Sequence, residues 1–390
     1  DSVFVRSLFL YPLRQAQCDR ESCLLLIRKR NHKLKTHCQS EPRRRRIQYS
    51  FDHSFSIHFD KLSMTEKVFR FIIPPYSLTL HLMKALVYKS TGSWYTVKTT
   101  DGKFVQARIK GKFKIDDITS TNPIAVGDKV ELEMDNEVEQ IFIITEIHDR
   151  RNYINRQSPH RKYQHHIVAA NLDQSMLFAT MKEPRTSQGF IDRFLIASEA
   201  YHIPSIIVFN KADVYRKKEM DLFEEWKAMY EAVGYKVFLI SMETKEGVEA
   251  VKETLSNKVT LLSGHSGVGK STFINELMPD LDLRTTEVSG WSGKGMHTTT
   301  FAEMYDLPGG GQIIDTPGVK EFGLVDISKQ ELSHYFPEMR ELIQECQFNN
   351  CLHMNEPGCA IKEAVRNETI HMDRYISYCN ILDSIDEKKY

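Results

Sequence analysis

A chain of 390 residues with 41% apolar composition allows roughly two to four domains, each with its own buried core. No apolar run approaches the roughly 18 to 20 residues of a membrane span. With 27% charged residues and a mean hydropathy of −0.40, the composition excludes a transmembrane protein, a collagen and a disordered chain, and no membrane partner is expected. Seven cysteines, three before residue 40 and four after residue 345, are too few and too uneven for a disulfide framework and fit a reducing, cytoplasmic setting.

The formal charge of zero hides an asymmetry: residues 1–82 hold 15 Lys+Arg against 7 Asp+Glu, which leaves 37 against 45 for the rest. Residues 1–82 contain four consecutive arginines at 43–46 and no sustained period of 2 or 3.6. They read as a non-native or disordered extension, with Met83 as the biological start; a basic targeting peptide or nucleic-acid arm is the alternative, weakened by the seven acids.

From residue 83 to about 155 the texture changes to strand alternation. Val105, Ala107, Ile109 and Phe113 are apolar, whereas Gln106, Arg108, Lys110 and Lys112 between them are polar or basic, so a period of 2 sends the two sets to opposite faces. Further runs at 84–89, 93–98, 129–134 and 140–147, with turn signals at Asp101-Gly102 and Gly127-Asp128, suggest a small closed barrel such as the OB-fold. Residues 84–114 hold eight basic side chains and one acid, and the linker adds Arg150, Arg151, Arg156, Arg161 and Lys162. Such a face suits RNA or another polyanion. Lysines defending edge strands against aggregation are the other reading.

The buried-strand run 206–209 leads into Asn210-Lys211-Ala212-Asp213. Taken alone, this string is equally a capping Asn beside a solvated Lys. Beside a phosphate loop it reads guanine, because the Asp213 carboxylate can accept from both N1 and the 2-amino group, a donor pair that adenine lacks. Ser241, after the run 236–240, is a weaker candidate for a backbone contact beneath the base.

The sharpest signal is Gly264-His265-Ser266-Gly267-Val268-Gly269-Lys270-Ser271, followed by Thr272, between the apolar run 259–262 and a helical pattern. This is a phosphate loop in its strand-loop-helix setting. Glycines Gly264, Gly267 and Gly269 let backbone amides crowd the phosphates, Lys270 can reach the β and γ oxygens, and the Ser271 hydroxyl can ligate magnesium. Downstream, residues 290–300 are glycine-rich and then threonine-rich; Thr298, Thr299 or Thr300, with Thr299 preferred, would complete the magnesium shell. Asp315-Thr316-Pro317-Gly318 after the run 312–314 fits the γ-phosphate sensor, with Asp315 holding magnesium through water and the Gly318 amide facing the γ-phosphate. GTP or GDP and Mg2+ are the expected ligands. Most GTP-binding domains place the phosphate loop first; here the base-reading motif precedes it, so the domain is circularly permuted, which joined termini and a new surface cut allow without altering the sheet.

Near the C-terminus, Cys346, Cys351, His353 and Cys359 supply three thiolates and one imidazole within 14 residues, a donor set for one closed structural zinc. Cys379 lies outside it. Helical patterns at 330–344 and 361–365 flank the cluster.

The permuted motif order, the basic barrel and this Cys/His spacing together resemble the bacterial small-ribosomal-subunit-dependent GTPases of the RsgA (YjeQ) family, from residue 83 to about 385, with residues 1–82 unmatched. Asn275, GMHTTT at 295–300, DTPGVKEFG at 315–323 and CQFNNCLHMNEPGCAIK at 346–362 carry the likeness. The resemblance implies an α/β fold: an OB-fold over 83–155, a permuted GTPase over 156–325 and a mainly helical zinc domain over 326–390. It further implies a monomeric late assembly factor of the small ribosomal subunit that binds rRNA, is stimulated by the subunit and is released on GTP hydrolysis. Met296 stands where an arginine is commoner. Val319 stands where many GTPases have a water-orienting glutamine, so slow intrinsic turnover is expected. His297 is the replacement to which both its position and the resemblance point, with rRNA itself as the alternative. A P-loop kinase or ATPase and a non-catalytic RNA scaffold are the competing classes; the Asn210 motif argues against the first, and subunit-stimulated phosphate release would exclude the second.

Overall fold

The computed structural model describes residues 83–109, 123–136, 141–157, 165–281, 302–316 and 327–385, together with the backbone of short strands between residues 18 and 58. Residues 1–78 form a unit of their own. Its strands β1 (Cys18–Asp19), β2 (Ser22–Lys29), β3 (His32–Ser40), β4 (Ile47–Phe51) and β5 (Phe55–His58) pair antiparallel in chain order, where the sequence carries no sustained period.

In the second unit, β6 (Met83–Ser90), β7 (Tyr95–Thr99) and β8 (Phe104–Ile109) form a meander. Strand β9 (Lys129–Asn136) pairs antiparallel with β10 (Ile141–Ile147); β10 runs parallel to β8, and β9 returns to β6 and closes the barrel. This is the expected OB arrangement. Alternation places Val87, Val97, Ala107, Val130, Leu132 and Ile144 in the barrel core. Phe104, on the opposite face of β8, is 56% exposed. Lys110 and Lys112 lie outside the described residues.

The linker is structured. Strand β11 (Tyr153–Gln157) pairs with β12 (His165–Ala170), so the boundary expected at 155/156 falls inside a hairpin. Its first arginines are not free for a polyanion: Arg150 grips the buried Asp128 carboxylate at 2.7 and 2.6 Å, and Arg151 reaches Asp173 at 2.7 Å. The side chain of Arg156, and Arg161 and Lys162 altogether, lie outside the described residues.

The next domain is built on β13 (Gln174–Ala179), β14 (Ser205–Phe209), β15 (Lys236–Leu239), β16 (Val259–Gly264), β17 (Glu303–Asp306) and β18 (Gln312–Asp315) in the spatial order β15-β14-β13-β16-β18-β17. All neighbours are parallel except β17 against β18. The chain enters near the centre at β13, walks out to β15, returns to β16 and leaves the other way, the itinerary of a permuted domain. Both faces of the central strands are covered, so β13 and β14 are buried along their whole length. Leu177, Ala179, Ile207 and Phe209 pack toward α1 (Gln188–Ala200) and α2 (Lys217–Ala232). The alternate residues Met176, Phe178, Ile206 and Val208 pack toward α3 (Val248–Glu253) and α4 (Lys270–Leu277).

The C-terminal region is built on α5 (Pro337–Arg340), α6 (Ala360–Arg366) and α7 (Met372–Ser384). The single helix expected over 330–344 is instead α5 flanked by two 3-10 turns, 332–335 and 343–345. Pro337 has no N–H to continue the first turn and holds Phe336 extended, at φ −103 and ψ 108, so the path restarts with Pro337 at the first helical position. No helix among the described residues is long and apolar enough to cross a membrane.

Candidate nucleotide site and metal centre

Parallel registers bring the motifs to one end of the sheet. Phe178 on β13 faces Gly264 on β16, Leu262 on β16 faces Asp315 on β18, and Ala179 on β13 faces Phe209 on β14. The 264–271 loop, the chain leaving β18 at Asp315 and Thr316, and the 210–213 segment therefore all lie at the carboxyl ends of adjacent strands, where α/β sheets bind ligands.

The loop geometry demands its glycines. Gly264 has φ +143, and an added Cβ would stand 2.3 Å from the Phe178 carbonyl; Gly269 has φ +102, with its Cβ position 2.2 Å from Asn210 Nδ2. Gly267 is also left-handed, at φ 82. Lys270 opens α4, is 9% exposed, and its Nζ donates to the Gly264 and His265 carbonyls at 2.9 and 3.0 Å. Burial pushes its ammonium pKa down and the nearby Asp315 carboxylate opposes this. Ser271 is half-buried in the first turn and Thr272 is exposed. Asp315 is buried, and Thr316 donates to the Leu262 carbonyl at 2.9 Å, fixing the chain leaving β18 beside β16.

The 210–213 segment is tied to the 264–271 loop. Asn210 Nδ2 donates to the Val268 carbonyl at 2.9 Å, while its Oδ1 accepts from the Met242 amide at 3.2 Å. Lys211 takes a left-handed φ of 71 and its Nζ reaches the Glu183 carbonyl at 2.6 Å. Asp213 is exposed, and Ser241 Oγ donates to its Oδ1 at 2.5 Å. The Ser241 N–H is given to the Glu246 carbonyl at 3.0 Å, and its hydroxyl holds the Asp213 carboxylate. Tyr215, which no sequence pattern marks, accepts from the Met181 amide at 2.8 Å and donates to the Asn210 carbonyl at 2.5 Å, buttressing the segment from behind. Gly318, His297, Thr298, Thr299 and Thr300, with Met296 and Val319, lie outside the described residues.

At the second centre, the donor atoms of Cys346, Cys351, His353 and Cys359 all lie within 4.8 Å of one another. His353 Nδ1 is 3.6 Å from Cys346 Sγ and 3.5 Å from Cys359 Sγ. For tetrahedral zinc with metal–sulfur and metal–nitrogen bonds of about 2.3 and 2.05 Å, the sulfur–nitrogen edge is about 3.6 Å, so the residues present fit that ion. The surrounding groups hold the knuckle. Glu356 accepts from the Leu352 and Met354 amides at 2.9 and 2.8 Å, and the Tyr375 and Tyr378 hydroxyls donate to the His353 and Leu352 carbonyls at 2.7 and 3.0 Å. Cys379 is separate from the cluster.

The barrel face is partly neutralised. Lys89 pairs with Glu303 at 2.8 Å, Lys98 with Asp306 at 2.6 Å, Arg108 with Asp135 at 2.5 Å and Lys103 with Asp101 at 3.0 Å. The first two join the barrel to β17.

The RsgA GTPase model matches residues 147–325 and the RsgA N-terminal domain model matches residues 84–141. Relatives named small ribosomal subunit biogenesis GTPase RsgA include a Bacteroides fragilis protein, 51% identical across 79% of this chain and 99% of its own. A Flavobacterium psychrophilum protein of the same name is 51% identical over 78% and 94%. Among solved structures, YjeQ from Thermotoga maritima superposes with a TM-score of 0.62 at 32% identity, covering 77% of this chain and 97% of that one. YloQ, described as a circularly permuted GTPase, gives 0.61 at 28%, covering 80% and 98%.

Proposed function

The chain is a member of the RsgA family of GTPases, and from this premise we propose that it acts as a GTP-driven assembly factor of the small ribosomal subunit. In this reading the protein is a cytoplasmic monomer that binds rRNA, is stimulated by the subunit and leaves when GTP is hydrolysed. The observation that carries it is the bond from Asn210 to the Val268 carbonyl, which ties a guanine-reading segment to a phosphate loop in the permuted order.

Asp213, oriented by Ser241, would accept from the two guanine donors, and Lys211, held by the Glu183 carbonyl, would flank the base. Loop amides and the Lys270 ammonium take the β- and γ-phosphate oxygens. Lys270 exchanges the Gly264 and His265 carbonyls for these stronger acceptors, and the phosphates' negative charge offsets the burial that depresses its pKa. Ser271 and Thr299 would hold Mg2+ directly and Asp315 through water; when bound, the ion neutralises charge developing on the transferred phosphoryl group. His297 would orient the attacking water once the subunit orders the 290–300 loop, with rRNA as the alternative, and the Gly318 amide would sense the γ-phosphate. A structural zinc on Cys346, Cys351, His353 and Cys359 would fix the C-terminal region as a rigid RNA-docking element.

Single-turnover GTP hydrolysis with and without saturating small subunits tests this. The expected result is slow intrinsic turnover, strong stimulation by subunits, and loss of that stimulation in His297→Ala with GTP affinity retained. Absence of stimulation in the wild type would reject the assembly-factor reading. A His297→Ala rate within about twofold of wild type, less than about 0.5 kcal/mol in barrier, would assign the water to another group.

A further inference from the structure

Helix α1 bears on the phosphate loop at one turn and packs against the C-terminal region along another face. Its start is pinned beside the phosphate-loop strand: the Thr180 amide donates to Thr186 Oγ1 at 3.0 Å, the Thr186 amide donates to the Thr180 carbonyl at 2.8 Å, and Ser187 caps the helix by accepting from the Phe190 amide. In the first turn the Phe190 ring, 6% exposed, stacks on the imidazole of His265 inside the phosphate loop, with centroids 3.8 Å apart and planes 27° apart. Burial, with Lys270 adding to it, holds the His265 pKa below the ordinary histidine value, so a neutral ring lies on the phenyl face. The same residue's carbonyl receives Lys270 Nζ at 3.0 Å, so the stack fixes the peptide that steers the phosphate-binding lysine.

The other side of α1 belongs to the C-terminal region. Asp192, Ile196 and Ala200 recur every four residues and so form one stripe. Ile196 and Ala200 lie in the hydrophobic cluster that includes Phe336, Cys359 and Tyr378. Asp192, fully buried, pairs with Arg374 of α7, which also grips Glu338 of α5 at 2.6 and 3.2 Å. At the rim Arg193 donates to Ser384 at 2.8 Å and Arg340 to Glu199 at 3.2 Å. A displacement of α7 thus reaches α1 through a buried ion pair, and two residues before that pair the helix bears on the phosphate loop.

We propose that α1 is a coupling rod between the metal-bearing C-terminal region and the phosphate loop, with Phe190 the positioning residue that transmits its setting to His265 and hence to Lys270. This rests on the reading of residues 264–271 as the GTP phosphate site, and it adds a route by which docking of the C-terminal region changes nucleotide affinity.

The test is a set of double-mutant cycles on the full chain, measuring GTP and GDP affinity with fluorescent nucleotides alongside zinc content and melting temperature. Phe190→Leu and His265→Ala should each weaken binding roughly threefold to tenfold, the scale of one aromatic pair. The double variant should be no weaker than the worse single, and Phe190→Tyr should stay within about twofold of wild type. At the far end, Arg374→Lys should weaken GTP binding in the wild-type background and have no effect in Phe190→Leu, a dependence that a purely structural role for Arg374 would not produce. Additive losses in either cycle, or unchanged affinity in folded Phe190→Leu, overturn the proposal. If Phe190→Leu fails to melt cooperatively, Phe190→Tyr serves as the background: loss of binding in His265→Ala with rescue in His265→Phe supports the stack, and no loss overturns it. Failure of the phosphate-site reading would instead appear as absent nucleotide binding in the wild type.

Discussion

Gly269 and Asn210 fit against each other with no room for a methyl group: a Cβ on Gly269 would lie 2.2 Å from Asn210 Nδ2, the atom that donates to the Val268 carbonyl. At φ +102 the position also disfavours any L side chain. Gly269→Ala should therefore strain the loop by about 1–3 kcal/mol and displace Asn210. We expect a lower melting temperature and GTP and GDP affinities weakened together by roughly tenfold or more, read by calorimetry and nucleotide titration. Wild-type values for both would mean that the loop relaxes around the methyl group.

Asp213→Asn should shift preference from guanine toward xanthine nucleotides, because an amide can donate to the 2-oxo group of xanthine and cannot accept both guanine donors. Ser241 already donates to one oxygen of Asp213 at 2.5 Å, so Ser241→Ala should weaken guanine binding less than Asp213→Asn and leave selectivity in place. Competition between GTP and XTP in hydrolysis decides it: continued GTP preference in Asp213→Asn would remove Asp213 from the base-reading role.

The parts of the molecule legible in the sequence are those where chemistry fixes residue types at short spacing. Asn210 to Asp213, the 264–271 loop and the Cys346 to Cys359 cluster each occupy one turn or knuckle, and in each the structure brings the members of the motif together. Long-range partnerships leave no such trace. Nothing near Arg374 announces Asp192, 182 positions away, and nothing near Arg150 announces that Asp128 consumes its charge. For the same reason a count of cations overstated the free basic surface of the barrel, since Lys89 and Lys98 find their acids on β17, more than 200 residues on. The helix expected over 330–344 broke at a local feature, Pro337, that outweighed its periodicity.

Glu356 should matter to the metal centre without touching the ion. It accepts from the Leu352 and Met354 amides on either side of His353, whose φ of 57 is left-handed and needs that support. Metal analysis should find about one zinc per chain. Glu356→Ala should weaken zinc affinity roughly tenfold to a hundredfold, the range of outer-shell losses, and chelation of the wild type should lower its melting temperature. A protein purified without zinc that melts at the same temperature as the loaded one would reject the structural zinc.

Asp306 should make the junction between barrel and β17 sensitive to acid. Burial raises its carboxyl pKa, but hydrogen bonds from Lys98, Tyr88 and Gln312 outweigh it and hold the group below the usual carboxylate value. A depressed folded-state pKa gives stability that is complete above the unfolded value and is lost as pH falls through the folded one. The melting-temperature gap between wild type and Asp306→Asn should therefore be widest near about pH 7 and close toward about pH 3. A gap that stays constant over that range would show that the carboxylate charge does not stabilise the junction.

Arg374 should be among the costliest single side chains to lose outside the nucleotide site. It is 1% exposed, lies between Asp192 and Glu338, which are 0% and 7% exposed, and its guanidinium stands 4.7 Å from the centroid of the Phe336 ring. Burial opposes its charge, yet the two carboxylates more than compensate and keep it protonated. Arg374→Met would preserve much of the packing volume while leaving two carboxylates buried without their cation, at a cost of about 3–5 kcal/mol. Burial already holds the Asp192 carboxyl above its usual value, against the pull of Arg374. Deprived of Arg374, it should rise further, so that the native variant binds an extra proton. Stability that depends on a raised folded-state pKa grows as pH falls through that value. The deficit of Arg374→Met should therefore be largest near about pH 8 and shrink toward about pH 5, and adding Asp192→Asn should recover part of it at the higher pH. Urea unfolding of the three proteins at both pH values would measure this. A deficit independent of pH and unaltered by Asp192→Asn would mean that lost packing on Phe336, and not an unpaired buried charge, is what Arg374 prevents.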